Sequence, residues 1–176
     1  IDCLATDSVE QAKAQFRQAI KLNPASPSNA VVYRYLGRIY EHEGEHQLAL
    51  DSYGKGLHIA PKDTALLMSR ASLYLLLENE ERAVADYTSV LQIDAECVDA
   101  LFFRAYAYGL QRKNPLARKD YEQIIRLCPM HENAHLGLIL LNDKDRRPRE
   151  AMEGINRLIE HYPMHSHLYL ARAGME

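Results

Sequence analysis

Apolar and polar residues alternate along this chain with the period of a helix. In the stretch YRYLGRIY, Tyr33, Leu36 and Tyr40 fall on one face and polar positions lie between them, which predicts an amphipathic helix. Gly37 interrupts it. A glycine inside a helix costs about 1 kcal/mol relative to alanine. Its presence here points to a neighbour that comes too close for a side chain.

The pattern returns at a fixed step. From Gly37, steps of 34 residues reach Ala71, Ala105 and Ile139, and from Tyr40 they reach Tyr74, Tyr108 and Asn142. A second series is stricter: Ala49, Ala83, Ala117 and Ala151, each followed four residues later by Tyr53, Tyr87, Tyr121 or Ile155. Pro61, Ala95, Pro129 and Pro163 close the series. The N-terminal segment carries half of the pattern as Ala12, Phe16, Ala19 and Pro24, and an insertion near Pro27 separates it from the first whole unit. Each unit therefore holds two helices, A and B, joined by polar turns such as EHEGEH and QRKNP. The small residue of A and the alanine of B coincide in three of the four units, as two helices crossing at short distance require. Gly54 and Gly56 loosen the first helix B, although Gly56 falls where something small is needed.

YRYLGRIY together with ALDSYGKGLHIAP resembles the tetratricopeptide repeat family, whose 34-residue helix-turn-helix unit follows an aromatic, Leu-Gly, Tyr, Ala, aromatic, Pro pattern. The resemblance implies an all-α, right-handed α-solenoid of stacked antiparallel helix pairs, forming one domain. A partial repeat, mainly helix B, occupies 1–29; repeats follow at 30–63, 64–97, 98–131 and 132–165, and 166–176 begins a further helix A. The 132–165 repeat departs most, with Ile139, Asn142 and Ile155 at positions that are small or aromatic elsewhere. The final SHLYLARAGME is apolar at Leu168, Tyr169 and Leu170 and has no helix B to cover it, so the array is expected to continue, with an aspartate sixteen residues beyond Arg172.

Two charges vary together. Leu36 and Leu138 give way to Arg70 and Arg104 in the middle repeats, and only these repeats carry Asp86 and Asp120 sixteen residues later, where the others have Ser52 and Gly154. An unpaired buried charge is costly, so an ion pair between helices A and B of one repeat is expected.

Composition narrows the function. The 176 residues are 47% hydrophobic and 26% charged, with net charge −3, which favours neither a nucleic-acid partner nor disorder. No apolar run reaches the length of a membrane span, and IDCLATD has no signal-peptide pattern. Cys3, Cys97 and Cys128 give no disulfide framework, which fits a reducing compartment and favours a cytoplasmic over an exported chain without fixing the compartment. HENAH, 131–135, matches the HExxH of zinc hydrolases, a competing class. The repeat frame sets it aside: PMH recurs at 129–131 and 163–165 in the inter-repeat turn, so His131 precedes its helix, and His135 holds a packing position. With no nucleophile elbow, phosphate loop or paired carboxylates, the reading is a non-enzymatic chain without cofactor or metal.

Shape then carries the function. Counting 100° per residue, the side of helix A opposite its packing stripe holds the second, fifth, ninth, twelfth and thirteenth residues of each repeat. Arg34, Arg38, Met68, Ser72, Leu76, Phe102, Tyr106, Leu136 and Leu140 among them are expected to line an apolar, aromatic groove for a peptide or amphipathic helix of another protein, with Arg34 and Arg38 as its cationic part. Asp143 and Lys144 fall in the same set. The alternative is a homo-oligomerisation module in which the same residues pack on one another or on a second copy. Turns of the early repeats are acidic (Glu41, Glu43, Glu45, Glu78, Glu80, Glu81), and those of the later ones basic (Arg112, Lys113, Arg118, Lys119, Lys144, Arg146, Arg147, Arg149), which allows head-to-tail self-contact. Aromatic residues belong to the helix frame and do not alternate with basic ones, so nucleic acid is not expected.

Overall fold

The computed structural model describes residues 2–144 and 147–175, with side chains from 8 to 142 and from 147 to 175. Cys3, Asp143, Lys144 and Arg146 lie outside the described side chains. Ten helices and no strand occur among the described residues, and they form two compact units, Ile1–Ile93 and Asp94–Glu176.

The first unit contains α1 (Asp2–Leu22), α2 (Asn29–His42), α3 (His46–Ile59), α4 (Thr64–Leu76) and α5 (Glu80–Ile93). α2 pairs with α3 and α4 with α5, each pair antiparallel because a three-residue turn joins its members. α1 packs on α2: Lys13 donates from Nζ to both Glu43 carboxylate oxygens at 2.7 and 2.9 Å, Arg17 Nη2 donates to the Tyr40 hydroxyl at 2.7 Å, and Phe16 stacks on Tyr35. The insertion near Pro27 folds around Asn29, which is buried and donates from Nδ2 to the carbonyls of Asn23 and Pro24. Its amide thus escapes the cost of a buried unpaired donor.

The second unit contains α6 (Val98–Leu110), α7 (Asn114–Leu127), α8 (Glu132–Lys144), α9 (Pro148–His161) and α10 (Ser166–Ala173). α6 pairs with α7 and α8 with α9, and α10 lies on α9. Pro115 and Pro148 sit in the first turns of α7 and α9, where a missing N–H leaves no intrahelical bond unmade.

One device closes α2, α4, α6 and α8. The amide of Glu45 donates to the Tyr40 carbonyl, Asn79 to Tyr74, Lys113 to Tyr108 and Arg147 to Asn142, at 2.8, 2.8, 2.8 and 2.9 Å. In α2, α4 and α6 a left-handed residue stands just before the donor of this five-residue bond. Gly44, Glu78 and Arg112 supply it with φ of 78°, 55° and 57°.

The core follows the repeat. Ala49, Ala83, Ala117 and Ala151 are completely buried, as are Tyr53, Tyr87 and Ile155, and Tyr121 is nearly so. What presses on Gly37 is the Tyr53 ring: a Cβ built on this glycine would lie 2.6 Å from Tyr53 Cδ1. Gly56 is constrained in the same way by Leu66 Cδ1, at 2.8 Å, whereas nothing approaches Gly54 within 4 Å.

The anticipated ion pairs are present in both units. Arg70 Nε and Nη2 donate to Asp86 Oδ2 and Oδ1, each at 2.8 Å, and Arg104 meets Asp120 in the same way at the same distances. Both aspartates are buried.

Candidate protein-binding surface

The residues expected to line a groove in the first unit stand on α2 and α4. Arg38, Ser72 and Leu76 are exposed, Leu76 at 62%, and Met68 and Arg34 are half-buried. Arg34 lays its guanidinium over the Tyr35 ring, 5.3 Å from its centre, and its Nε is a buried donor with no protein acceptor. Ser72 Oγ lies 3.2 Å from the Tyr87 hydroxyl, which ties this position to the core behind it.

Those of the second unit stand on α6 and α8. Tyr106 is 50% exposed and Leu140 39%, with Leu110 beside them in the expected set at 47%. Phe102 is half-buried, and its ring meets those of Phe103, Tyr121 and His131 at centroid distances of 5.5, 5.9 and 5.8 Å. Leu136 is half-buried against the cluster of Ile139, Ile155, Leu158 and Leu168. Phe102 and Leu136 therefore belong partly to the packing, and Tyr106, Leu110 and Leu140 are the residues presented outward.

Among the exposed aromatic residues outside the expected set, two share a register. Tyr35, 44% exposed, and Phe103, 37%, both occupy the sixth position of their repeat. That position lies one turn beyond the second and so extends the same face. Their shared register was the available signal.

Two hollows mark the repeats that lack the ion pair. In the second unit, a hollow of about 530 Å³ is lined by Leu138 and Gly154 together with His135, Ile139, Leu158 and Tyr162. In the first unit, one of about 260 Å³ borders Leu36 and Ser52. The positions filled by guanidinium and carboxylate in the middle repeats carry shorter or uncharged side chains in these two.

The HENAH histidines are engaged separately. His131 caps α8, its Nδ1 accepting from the Ala134 amide at 3.1 Å, while His135 Nε2 lies 2.8 Å from the Pro129 carbonyl oxygen. Burial of the core tyrosines is felt in their chemistry: it pushes the phenols of Tyr87 and Tyr121 up to about 12 and that of Tyr53 further, helped there by the hydrogen bond to Glu41. No described helix is long and apolar enough to cross a membrane.

Paired antiparallel helices repeated at a fixed step define a helical-repeat protein. Family models described as tetratricopeptide repeat match residues 4–64 and 64–97. A tetratricopeptide repeat protein from Parabacteroides merdae superposes with TM-score 0.90 over 99% of this chain and 68% of its own, at 30% identity. The chain belongs to the tetratricopeptide repeat family. The DnaJ homolog subfamily C member 7 homolog of Schizosaccharomyces pombe is 30% identical over 68% of this chain and 28% of its own length. The first tetratricopeptide repeat domain of Spaghetti (RPAP3), bound to the HSP90 peptide SRMEEVD, matches 66% of this chain and 93% of its own with TM-score 0.62 and 27% identity. The chain spans 16 to 28% of the length of such curated relatives.

Proposed function

We propose that this chain is a non-enzymatic adaptor that binds a segment of another protein on the outward faces of its A helices. The observation that carries this reading is the exposed apolar side chains at lining positions within each unit: Leu76 in the first, and Tyr106, Leu110 and Leu140 in the second. Large apolar residues left in water at the same register of successive repeats are a standing contact surface. Aromatic and leucine side chains suit an apolar anchor or the apolar face of a helix. A relative that binds the peptide SRMEEVD supports peptide recognition as the general mode. The chemistry available here differs from that of a purely acidic ligand's site, since Arg34 and Arg38 are the cations among the expected groove residues and the other seven, Met68, Ser72, Leu76, Phe102, Tyr106, Leu136 and Leu140, are uncharged.

A displayed peptide library selected on the purified chain tests the reading. Apolar or amphipathic sequences should emerge, and their binding should be lost on Tyr106→Ala. Selection of nothing, or of sequences indifferent to Tyr106 and Leu76, would reject it. Light scattering on the same sample separates the self-association reading, which requires a dimer that Tyr106→Ala dissociates.

A further inference from the structure

The HENAH glutamate points to a place that the motif does not. Glu132, the first residue of α8, faces two histidines at the start of α10: its Oε2 lies 2.8 Å from His165 Nδ1, and its Oε1 lies 2.9 Å from His167 Nε2. The three ligand atoms fall within 4.8 Å of one another. We propose that Glu132, His165 and His167 form a binding site for a divalent transition-metal ion, zinc foremost, which fastens the start of α10 to the start of α8.

The donor set is the first reason. Two imidazole nitrogens and one carboxylate oxygen suit zinc, which takes such ligands at about 2.0–2.2 Å and tolerates three protein ligands with a fourth position left open. Ligand atoms around a tetrahedral ion at that distance stand roughly 3.3 Å apart. The carboxylate lies 2.8 and 2.9 Å from the two ring nitrogens and all three ligand atoms lie within 4.8 Å, so small rotations of two exposed rings bring all three onto one ion.

The second reason is that the rings are already aimed. His165 stacks on Tyr162 with centroids 5.3 Å apart and planes 16° apart, and its ring lies 5.7 Å from that of His167. Tyr162 in turn donates its hydroxyl to the Met130 carbonyl at 3.0 Å, two residues before Glu132. Supporting contacts of this kind orient metal ligands and raise affinity. The Glu132 side chain is only 18% exposed. Both histidines are about half exposed, which gives an ion a way in and leaves its open position to water or to a donor from a bound partner.

Neither histidine is a member of HENAH, and this site has a different purpose from a hydrolase centre. α8 and α10 each pack on α9, and the ion would join their first turns directly. Zinc should therefore protect the amides of α10 from hydrogen exchange.

The test is titration of the metal-free chain with zinc against a chromophoric chelator. One site should appear, and Glu132→Gln, His165→Ala and His167→Ala should each weaken it at least tenfold, whereas His58→Ala and Cys128→Ser should leave it within twofold. Cobalt in place of zinc should give weak visible bands without a thiolate charge-transfer band. Exchange protection of α10 should follow metal addition and vanish in His167→Ala. No binding below millimolar zinc, binding that survives both histidine changes, or a thiolate band would overturn the proposal. Normal circular dichroism of each variant ensures that loss of binding is not loss of fold.

Discussion

Arg70 and Asp86 meet through two parallel N–H···O bonds, Nε to Oδ2 and Nη2 to Oδ1, both 2.8 Å, and the aspartate is buried. The bidentate geometry is the strong form of this pair, yet desolvation of both ions leaves little net stabilisation. Its consequence appears when one partner is removed. Arg70→Leu should cost about 3 kcal/mol, because Asp86 is left buried and charged. Adding Asp86→Ser recreates the Leu36 and Ser52 combination of the first repeat and should recover most of the loss. Urea unfolding of the two single variants and the double variant measures the coupling, and additive losses would argue against a functional pair.

Two glycines in the first unit should respond with opposite signs. Gly37→Ala gains helix propensity but drives a methyl into the buried Tyr53 ring, and overpacking of this kind costs about 1–3 kcal/mol. Gly54→Ala meets nothing within 4 Å and should stabilise by up to about 1 kcal/mol. Thermal midpoints of the two variants report the difference directly.

Alkali should unfold the chain through its core tyrosines. Tyr87 and Tyr121 titrate near 12 in the folded state against an ordinary value of 10.0, so above pH 10 the unfolded chain loses protons that the folded chain keeps. Stability is then fully present below pH 10 and falls as pH rises toward 12, by about 1.4 kcal/mol per pH unit for each tyrosine. Tyr87→Phe should remove one such contribution, giving a shallower decline between pH 10 and 11. An unchanged slope would mean that Tyr87 ionises freely in the folded chain.

These predictions also show what a repeat sequence makes legible. The step of 34 and the covarying Arg and Asp positions located the helix pairs and both ion pairs, because each repeat solves the same packing problem with the same registers. The side-chain direction of Phe102 was not available in that way. Its register places it opposite the packing stripe, yet its ring bends toward Tyr121 and His131, a choice set by local ring contacts rather than by helical phase. The cluster of Glu132, His165 and His167 was hidden for another reason. Residues 33 and 35 apart become neighbours only when equivalent helices of successive repeats lie side by side, and the recurrence of PMH at 129–131 and 163–165 was its only trace in sequence.

The account rests most heavily on the outward aromatic face of α6. For an amphipathic peptide selected on the wild-type chain, the dissociation constant should rise at least roughly thirtyfold in Tyr106→Ala, as expected for a central anchor worth about 2 kcal/mol, and change little in Arg112→Ala. Because Tyr106 is 50% exposed, the unfolding midpoint of the Tyr106 variant should stay close to that of the wild type. Equal dissociation constants for wild type and Tyr106→Ala would contradict the assignment of this face as the binding surface.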